Sequence, residues 1–339
     1  MSDHRPALVI AHHPSLDLLD AATHERISEV ATIVDPAPLG DWNDPRADAL
    51  LAEAEVILGH WGCAPIDASI IDRAPNLGLF AYAAGTIKQT VSRDVFDRDI
   101  RVTSGADANA EPVAEFTLAT ILFTNKDVFW QRDVRRTPRD PSLRDYRRPH
   151  GTAVGNYDKT IGIVGASLIG RRVIELLAPF PHLRVALYDP FVSFDQASEL
   201  GVTKLDLDEL CACVDILSIH APELPNTHHM IGAPQLAALR TGATVINTAR
   251  GALLDHEALL AEAEAGRLSA VLDVTDPEPL PDDHPLWALP NVFITPHLAG
   301  SLGTELHRMI DHAIDEIDRW RTGRPARNAI TKGMLDRLA

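Results

Sequence analysis

The sequence is poor in cysteine, in net positive charge and in long apolar runs. Cysteine occurs three times in 339 residues, at Cys63, Cys211 and Cys213. That is too few for a disulfide framework, and the spacing is not that of a zinc site. Such scarcity fits a reducing cytosol. Basic residues number 31 against 48 acidic ones, a formal net charge of −17. A surface this acidic repels phosphate backbones and anionic lipid, which argues against nucleic acid and membranes as partners. A small anionic substrate stays open, because a few buried cations outweigh a distant net charge. No run approaches the roughly 20 apolar residues of a membrane helix. The opening MSDHRPALVI lacks the apolar stretch of a secretory leader. The expectation is a cytoplasmic protein.

What is present is an ordinary globular mix, with 45% apolar and 23% charged residues. The length suits two domains. Short apolar runs predict strands at Ala7–Ala11, Glu29–Val34, Glu55–Gly59, Leu77–Tyr82 and Ile100–Thr103, with a helix over Asp44–Ala54 and a glycine turn at Gly85. This rhythm predicts a parallel sheet covered by helices on both faces. Pro112–Thr124 is apolar around most of its circumference, as a buried helix is. Lys126–Asp158 is polar and basic and reads as a solvated excursion, or as an arm reaching a partner subunit.

The pattern then restarts. Strands are expected at Thr160–Val164, Leu183–Tyr188, Val214–His220, Ala243–Thr248, Ala270–Val274 and Val292–Thr295. Helices are expected at Leu168–Leu177, from Leu207, at Gln235–Leu239, at Asp255–Ala265 and, amphipathic, at Ser301–Arg321. Two α/β bodies follow, with the last helix leading back to the first.

The strand Thr160–Val164 runs into Gly165-Ala166-Ser167-Leu168-Ile169-Gly170, a G-x-G-x-x-G turn with serine in the middle position. The outer glycines serve the tight turn and close helix–strand packing. The middle one lets backbone approach a pyrophosphate at a helix N-terminus. Ser167 adds a Cβ there, and its hydroxyl offers a donor to a phosphate oxygen. A structural glycine turn is the alternative. Asp189 weighs against it: it stands 19 residues beyond Gly170, at the end of the next strand, where an acidic side chain takes the ribose hydroxyls of NAD.

Three further segments each end a predicted strand: Ile246-Asn247-Thr248-Ala249-Arg250-Gly251, Leu272-Asp273-Val274-Thr275-Asp276-Pro277-Glu278-Pro279 and Thr295-Pro296-His297-Leu298-Ala299-Gly300. Open α/β sheets bind ligands beyond the carboxyl ends of their strands. Arg250 offers a planar fork that matches a carboxylate and polarises an adjacent carbonyl. His297 is suited to exchange a proton with the carbonyl oxygen. Glu278 is suited to fix the His297 tautomer and favour its protonated form.

In this order, and with Asp215–Pro222, Thr227 and Asn109–Glu115, these motifs closely resemble the D-isomer-specific 2-hydroxyacid dehydrogenase family, from about Leu77 to Arg308. The resemblance implies the same roles for Arg250, Glu278 and His297. It implies that Gly165, Ser167, Leu168, Ile169 and Gly170 hold the pyrophosphate and Asp189 the ribose. Ala221 and Pro222 would line the adenine side, and Thr227 would be a further cofactor-binding residue. Thr248, Ala249 and Arg250 would line the nicotinamide side, Asp273 would contact the nicotinamide or its ribose, and His297 and Gly300 would also touch the cofactor. Ala84, Gly85 and Thr86 match the loop whose amides hold the substrate carboxylate, although they read A-A-G-T-I-K rather than the commoner G-V-G-x-D. His60, Trp61 and Asn109 fall beside the substrate. In the phosphoglycerate branches an Arg-Ser pair follows the strand matching Glu55–Gly59; here the sequence is Gly59-His60-Trp61-Gly62, which favours an unphosphorylated acid.

The implied fold is a Rossmann-type doubly wound parallel sheet inserted into a second, flavodoxin-like α/β substrate domain. The expected segments are 1–107 and 302–339 for the substrate domain and 108–301 for the NAD domain. The implied protein is an NAD-dependent oxidoreductase and a homodimer through its NAD domain. A non-catalytic, NAD-sensing corepressor-like module is the rival reading. Oxidation of formate or phosphite on the same scaffold is disfavoured, because the formate enzymes pair the histidine with Gln where this chain has Glu278.

Overall fold

The computed structural model describes residues 4–13, 19–136 and 154–335. The chain divides into two compact units, Met1–Ala110 with Ser301–Ala339, and Glu111–Gly300.

The first unit opens with β1 (Ala7–Ala11), α1 (Ala21–Val30), β2 (Thr32–Leu39), α2 (Ala47–Glu53), β3 (Val56–Gly59), α3 (Ala68–Arg73), β4 (Leu79–Tyr82) and β5 (Arg101–Ser104). The strand order is β2-β1-β3-β4-β5, and every pairing is parallel. Strands buried on both faces read as continuous apolar runs, as VILG and LFAY do here. Alternate side chains feed opposite faces. Ile57 and Phe80 meet Leu51 of α2 and Ile71 of α3, while Leu58 and Leu79 meet Ile27 and Val30 of α1. Each fully buried side chain of this size contributes about 1.5–3 kcal/mol.

The expected strand Glu29–Val34 is corrected: α1 occupies Ala21–Val30, and the strand begins at Thr32. The helix wins because Thr23, Ile27 and Val30 fall on one buried face and the Asp20 side chain caps the Thr23 amide at 2.8 Å. The strand β2 tolerates Pro36 and Pro38 because it lies at the sheet edge.

Helix α4 (Ala106–Asn125) carries the chain from the first unit into the second and begins earlier than the expected Pro112, which lies inside it. Part of the expected solvated excursion is also corrected. α5 (Val128–Arg136) is helical, because Phe129 has an aromatic partner in Phe293, stacked at 4.5 Å with Arg132 over the same ring. The remainder of that stretch, 137–153, lies outside the described residues.

The second unit continues with β6 (Lys159–Val164), α6 (Leu168–Leu177), β7 (Leu183–Tyr188), α7 (Phe194–Glu199), β8 (Thr203–Lys204), α8 (Leu207–Cys213), β9 (Ile216–Ile219), α9 (Ala233–Ala238), β10 (Thr244–Asn247), α10 (His256–Glu264), β11 (Ser269–Leu272) and β12 (Val292–Ile294). The order β12-β11-β10-β9-β6-β7-β8 reverses direction between β6 and β9, the switch point at which such sheets open a crevice. Ile161 and Ile163 pack with Val173 and Leu177 of α6 and Ile121 of α4. Leu217, Val245 and Leu272 pack on the other face with Leu210, Leu236 and Leu259 of α8 to α10.

Helix α11 (Leu306–Arg321) returns to the first unit. It places Met309, Ile310, Ala313 and Ile317 against Leu8, Leu58 and Leu79. The expected helical start at Ser301 is corrected to a short 3-10 turn, Gly303–Glu305, that precedes the helix. Gly303 there has φ +55°, outside the helical range.

Candidate active site

The exit of β6 is sterically committed to glycine at both ends of its turn. Gly165 has φ +97°, and a Cβ on it would stand 2.8 Å from the Ala221 backbone. A Cβ on Gly170 would stand 2.1 Å from the Gly165 carbonyl oxygen. Ser167 sits without strain as the N-cap of α6, extended at φ −64°, its Oγ accepting from the Gly170 amide at 3.2 Å. That bond leaves the hydroxyl proton for a ligand. Leu168 is exposed at the first helical position and Ile169 half-buried, with α6 first-turn amides beside them. This cradle fits a dinucleotide pyrophosphate. Asp189, at the end of β7, accepts from the Ala166 amide through Oδ2 and from the Phe191 amide through Oδ1, both at 2.7 Å. It therefore braces the glycine turn, a role the spacing argument did not foresee.

Beyond β9, Ala221 backs the glycine turn. Thr227 donates through Oγ1 to the Pro222 carbonyl at 2.7 Å and accepts from the Leu224 amide at 2.8 Å, which closes that loop on itself. Beyond β10, Thr248 is buried and its hydroxyl meets Thr117 Oγ1 at 3.1 Å. Thr117 already donates to the Val113 carbonyl at 2.8 Å, so Thr248 is the donor of the pair. Asn247 is fully buried. It accepts from the Ala249 amide at 3.1 Å and donates to the Arg250 carbonyl at 2.8 Å, so it sets the turn that presents Arg250. Sequence reasoning missed this residue, although a polar Asn closing an otherwise apolar strand was the available signal. Arg250 is half-buried and Nη1 donates to the Ala249 carbonyl at 2.7 Å, which leaves most of its guanidinium donors for a ligand.

Asp273, at the exit of β11, is buried. One carboxylate oxygen accepts from Thr295 Oγ1 at 2.6 Å and the Leu298 amide at 2.8 Å, the other from the Ala299 amide at 2.9 Å. Its own carbonyl accepts the His297 amide at 2.9 Å. Asp273, assigned to the nicotinamide side by resemblance, is thus the anchor of the loop that carries His297. Gly300 ends that loop. His297 Nδ1 and Glu278 Oε1 are 2.6 Å apart, with both side chains about half exposed. A carboxylate on Nδ1 leaves Nε2 as the ring nitrogen able to exchange a proton.

The remaining predicted residues lie in the first unit. Ala84, Gly85 and Thr86 follow β4. The Gly85 carbonyl accepts from Ser104 Oγ at 2.6 Å, and Thr86 Oγ1 accepts from the Lys88 amide at 3.3 Å. Asn109 accepts from the Ser301 amide at 2.9 Å, and its Nδ2 would stand 3.4 Å from a Cβ on Gly85. His60 follows β3 and is buried. Its Nδ1 accepts from the Trp61 amide at 2.7 Å, which assigns the proton to Nε2, an atom with no partner among the described residues. Burial, with His12 nearby, pushes the His60 pKa down to about 3, so the imidazole is neutral. Trp61 packs edge-on against it at 4.9 Å.

Residues 128–299, within the second unit, match the family model described as the D-isomer specific 2-hydroxyacid dehydrogenase, NAD binding domain. Glyoxylate/hydroxypyruvate reductase B of Yersinia enterocolitica is 30% identical over 98% of this chain and 99% of its own. The chain belongs to the D-isomer specific 2-hydroxyacid dehydrogenases. NAD is the cofactor of the domain that the match covers. D-3-phosphoglycerate dehydrogenase of Mycobacterium tuberculosis is 34% identical over 78% of this chain but 50% of its own length, so the chain spans about half of that relative. Among solved structures, a Thermus thermophilus protein superposes with a TM-score of 0.73 at 29% identity, covering 96% of this chain and all of that one. D-mandelate dehydrogenase of Rhodotorula graminis shares the fold, with a TM-score of 0.79 at 24% identity over 96% of this chain and 98% of its own. No helix among the described residues is long and apolar enough to cross a membrane.

Proposed function

We propose that this chain is an NAD-dependent dehydrogenase that interconverts a 2-keto acid and a D-2-hydroxy acid. The observation that carries the reading is the 2.6 Å His297–Glu278 pair on the same sheet edge as Arg250 and the glycine turn. NADH bound at that turn supplies the hydride. Arg250 binds the substrate carboxylate and polarises the neighbouring carbonyl. His297 Nε2 gives its proton to the carbonyl oxygen as C2 is reduced and takes it back in the oxidation direction. Glu278 takes the Nδ1 side of the ring and so holds its orientation and tautomer. Asp273 and Asn247 act through the loops, as positioning residues. The amides of Ala84–Thr86 are assigned to the substrate carboxylate, and Asn109, His60 and Trp61 to the substrate's surroundings. The first unit is read as the substrate domain, the second as the NAD domain, the protein as a cytoplasmic homodimer.

The substrate is read as unphosphorylated. A buried neutral His60 beside Trp61 is a poor partner for a doubly charged phosphate and a good wall for a compact side chain. The reductase name of the Yersinia relative fits this reading. The test is kcat/KM for glyoxylate, hydroxypyruvate, pyruvate and phosphohydroxypyruvate with NADH and with NADPH. Unphosphorylated acids are expected to be reduced best. NADH is expected to exceed NADPH by at least about tenfold, because the Asp189 carboxylate opposes a 2′-phosphate. No turnover of any 2-keto acid overturns the reading, and a tenfold preference for the phosphorylated acid overturns its substrate arm.

A further inference from the structure

His228, His229 and Asp276 are exposed, and one ligand atom from each lies within 4.8 Å of the others. None of them has a part in the chemistry above. Two separate segments supply them. His228 and His229 lie between β9 and α9, and Asp276 follows β11.

The backbone holds these segments together. The His229 amide donates to the Ala252 carbonyl at 2.8 Å, the Ile231 amide to Leu253 at 3.0 Å and the Asp255 amide back to Ile231 at 3.0 Å. That laces 229–231 to the turn Gly251–Leu253. Gly251 in turn lies so close to the β11 exit that a Cβ would stand 2.0 Å from the Thr275 carbonyl oxygen and 2.7 Å from the Asp276 nitrogen. The frame thus fixes the backbone of the histidine pair and that of the aspartate with respect to each other before any ion arrives. The two imidazoles stack, with centroids 3.9 Å apart and planes at 20°. His229 holds φ +51°, a left-handed backbone uncommon outside glycine that histidine takes more readily than most residues.

His256 belongs to the same neighbourhood. It is buried, and its Nδ1 meets the Leu254 carbonyl at 3.0 Å. A ring N–H given to a carbonyl leaves Nε2 as a bare lone pair, the tautomer of metal-binding imidazoles. That Nε2 has no partner among the described residues. Asp276 and His229 are both within electrostatic reach of the ring.

We propose that His228, His229 and Asp276 form a binding site for a divalent transition-metal ion of the zinc class. Two imidazoles and one carboxylate suit zinc, whereas calcium and magnesium call for oxygen ligands throughout. Ligands about 2.0–2.2 Å from a tetrahedral ion stand roughly 3.4 Å apart, which exposed side chains reach from the observed spacing by rotation. Three protein ligands leave the fourth position to water. Bound metal would clip the β9–α9 loop to the segment that carries Glu278, two residues beyond Asp276. The site does not depend on the proposed reaction.

The test uses untagged, metal-free, full-length protein. Co²⁺ is titrated as a spectroscopic probe and Zn²⁺ by calorimetry. One equivalent is expected to bind, with cobalt d–d absorption. His228→Ala and Asp276→Asn, both on exposed side chains, are each expected to weaken binding by about tenfold or more, while His182→Ala elsewhere in the same unit leaves it unchanged. Absence of saturable one-equivalent binding overturns the proposal. So does an affinity that either His228→Ala or Asp276→Asn leaves unchanged in protein of wild-type circular dichroism.

Discussion

At the strand exits of Glu111–Gly300, a buried polar residue repeatedly holds a more exposed ionic one. Asn247 sets the turn of Arg250, and Asp273 anchors the loop of His297. At the exits of β3 and β4 in the first unit, the furnishings are a buried neutral imidazole at His60 and the backbone of Ala84–Thr86. Both sheets are parallel and both reverse direction at a switch point, between β1 and β3 in one and β6 and β9 in the other. The shared winding therefore fixes where a crevice opens, and the exit residues decide what chemistry it supports. On the proposed reading, one edge moves a proton and holds a charge, and the other shapes the substrate's surroundings.

The sharpest way to break this comparison is to remove one histidine from each edge. His297→Ala is expected to lower kcat by about 10²–10⁴-fold with little change in NADH affinity, because it removes a proton donor and few cofactor contacts. His60→Gln is expected to act mainly on KM. Arg250→Ala stands between them, raising KM and lowering kcat through loss of a charge-assisted contact worth about 1.5–3 kcal/mol. Steady-state kinetics on the three variants decides. Equal kcat losses for His297→Ala and His60→Gln would erase the distinction between the edges.

The parts of the site that sequence made legible are those that spacing and side-chain type encode together. The outer glycines at Gly165 and Gly170 were readable because only a missing Cβ fits there. Arg250, Glu278 and His297 were readable because each follows a predicted strand and carries chemistry in its own side chain. The supports were not. Asp273 and Asn247 act by hydrogen bonds to backbone atoms across a turn or between strand exits, and no local pattern announces such a partner. Helix α1 was missed because its stripe of Thr23, Ile27 and Val30 is short and its end was read into the strand that follows.

A second comparison sets buried histidines of the two units against acid. Burial pushes the pKa of both His60 and His220 down to about 3, from an ordinary value near 6.5. The folded protein then refuses a proton that the unfolded chain accepts. Stability from each neutral ring is fully present above pH 6.5 and is lost as pH falls from there toward about 3, with a slope on the order of 1.4 kcal/mol per pH unit per group. Urea unfolding followed between pH 7.5 and 4.5 should show this loss, and His60→Gln should remove one group's share of the slope. A His60→Gln slope equal to that of the wild type would mean that this imidazole takes up its proton without unfolding.

The smallest effect tests whether the glycine turn tolerates its serine or uses it. Ser167 Oγ accepts the Gly170 amide at 3.2 Å, and loss of such a cap costs about 1 kcal/mol for alanine but only a few tenths for glycine. The stability order expected from thermal unfolding is therefore wild type, then Ser167→Gly, then Ser167→Ala. Affinity for NAD separates the second role. The hydroxyl proton is not consumed by the cap, and given to a phosphate oxygen it would add about 0.5–1.5 kcal/mol, or roughly 2- to 12-fold in Kd. Ser167→Ala should lose that factor, while Ser167→Gly should recover part of it, since backbone approaches the pyrophosphate more closely without the Cβ. Calorimetric titration of NAD into both variants measures the factor. Two unchanged dissociation constants, with the stability order intact, would confine Ser167 to capping α6 and leave cofactor binding to the backbone amides alone.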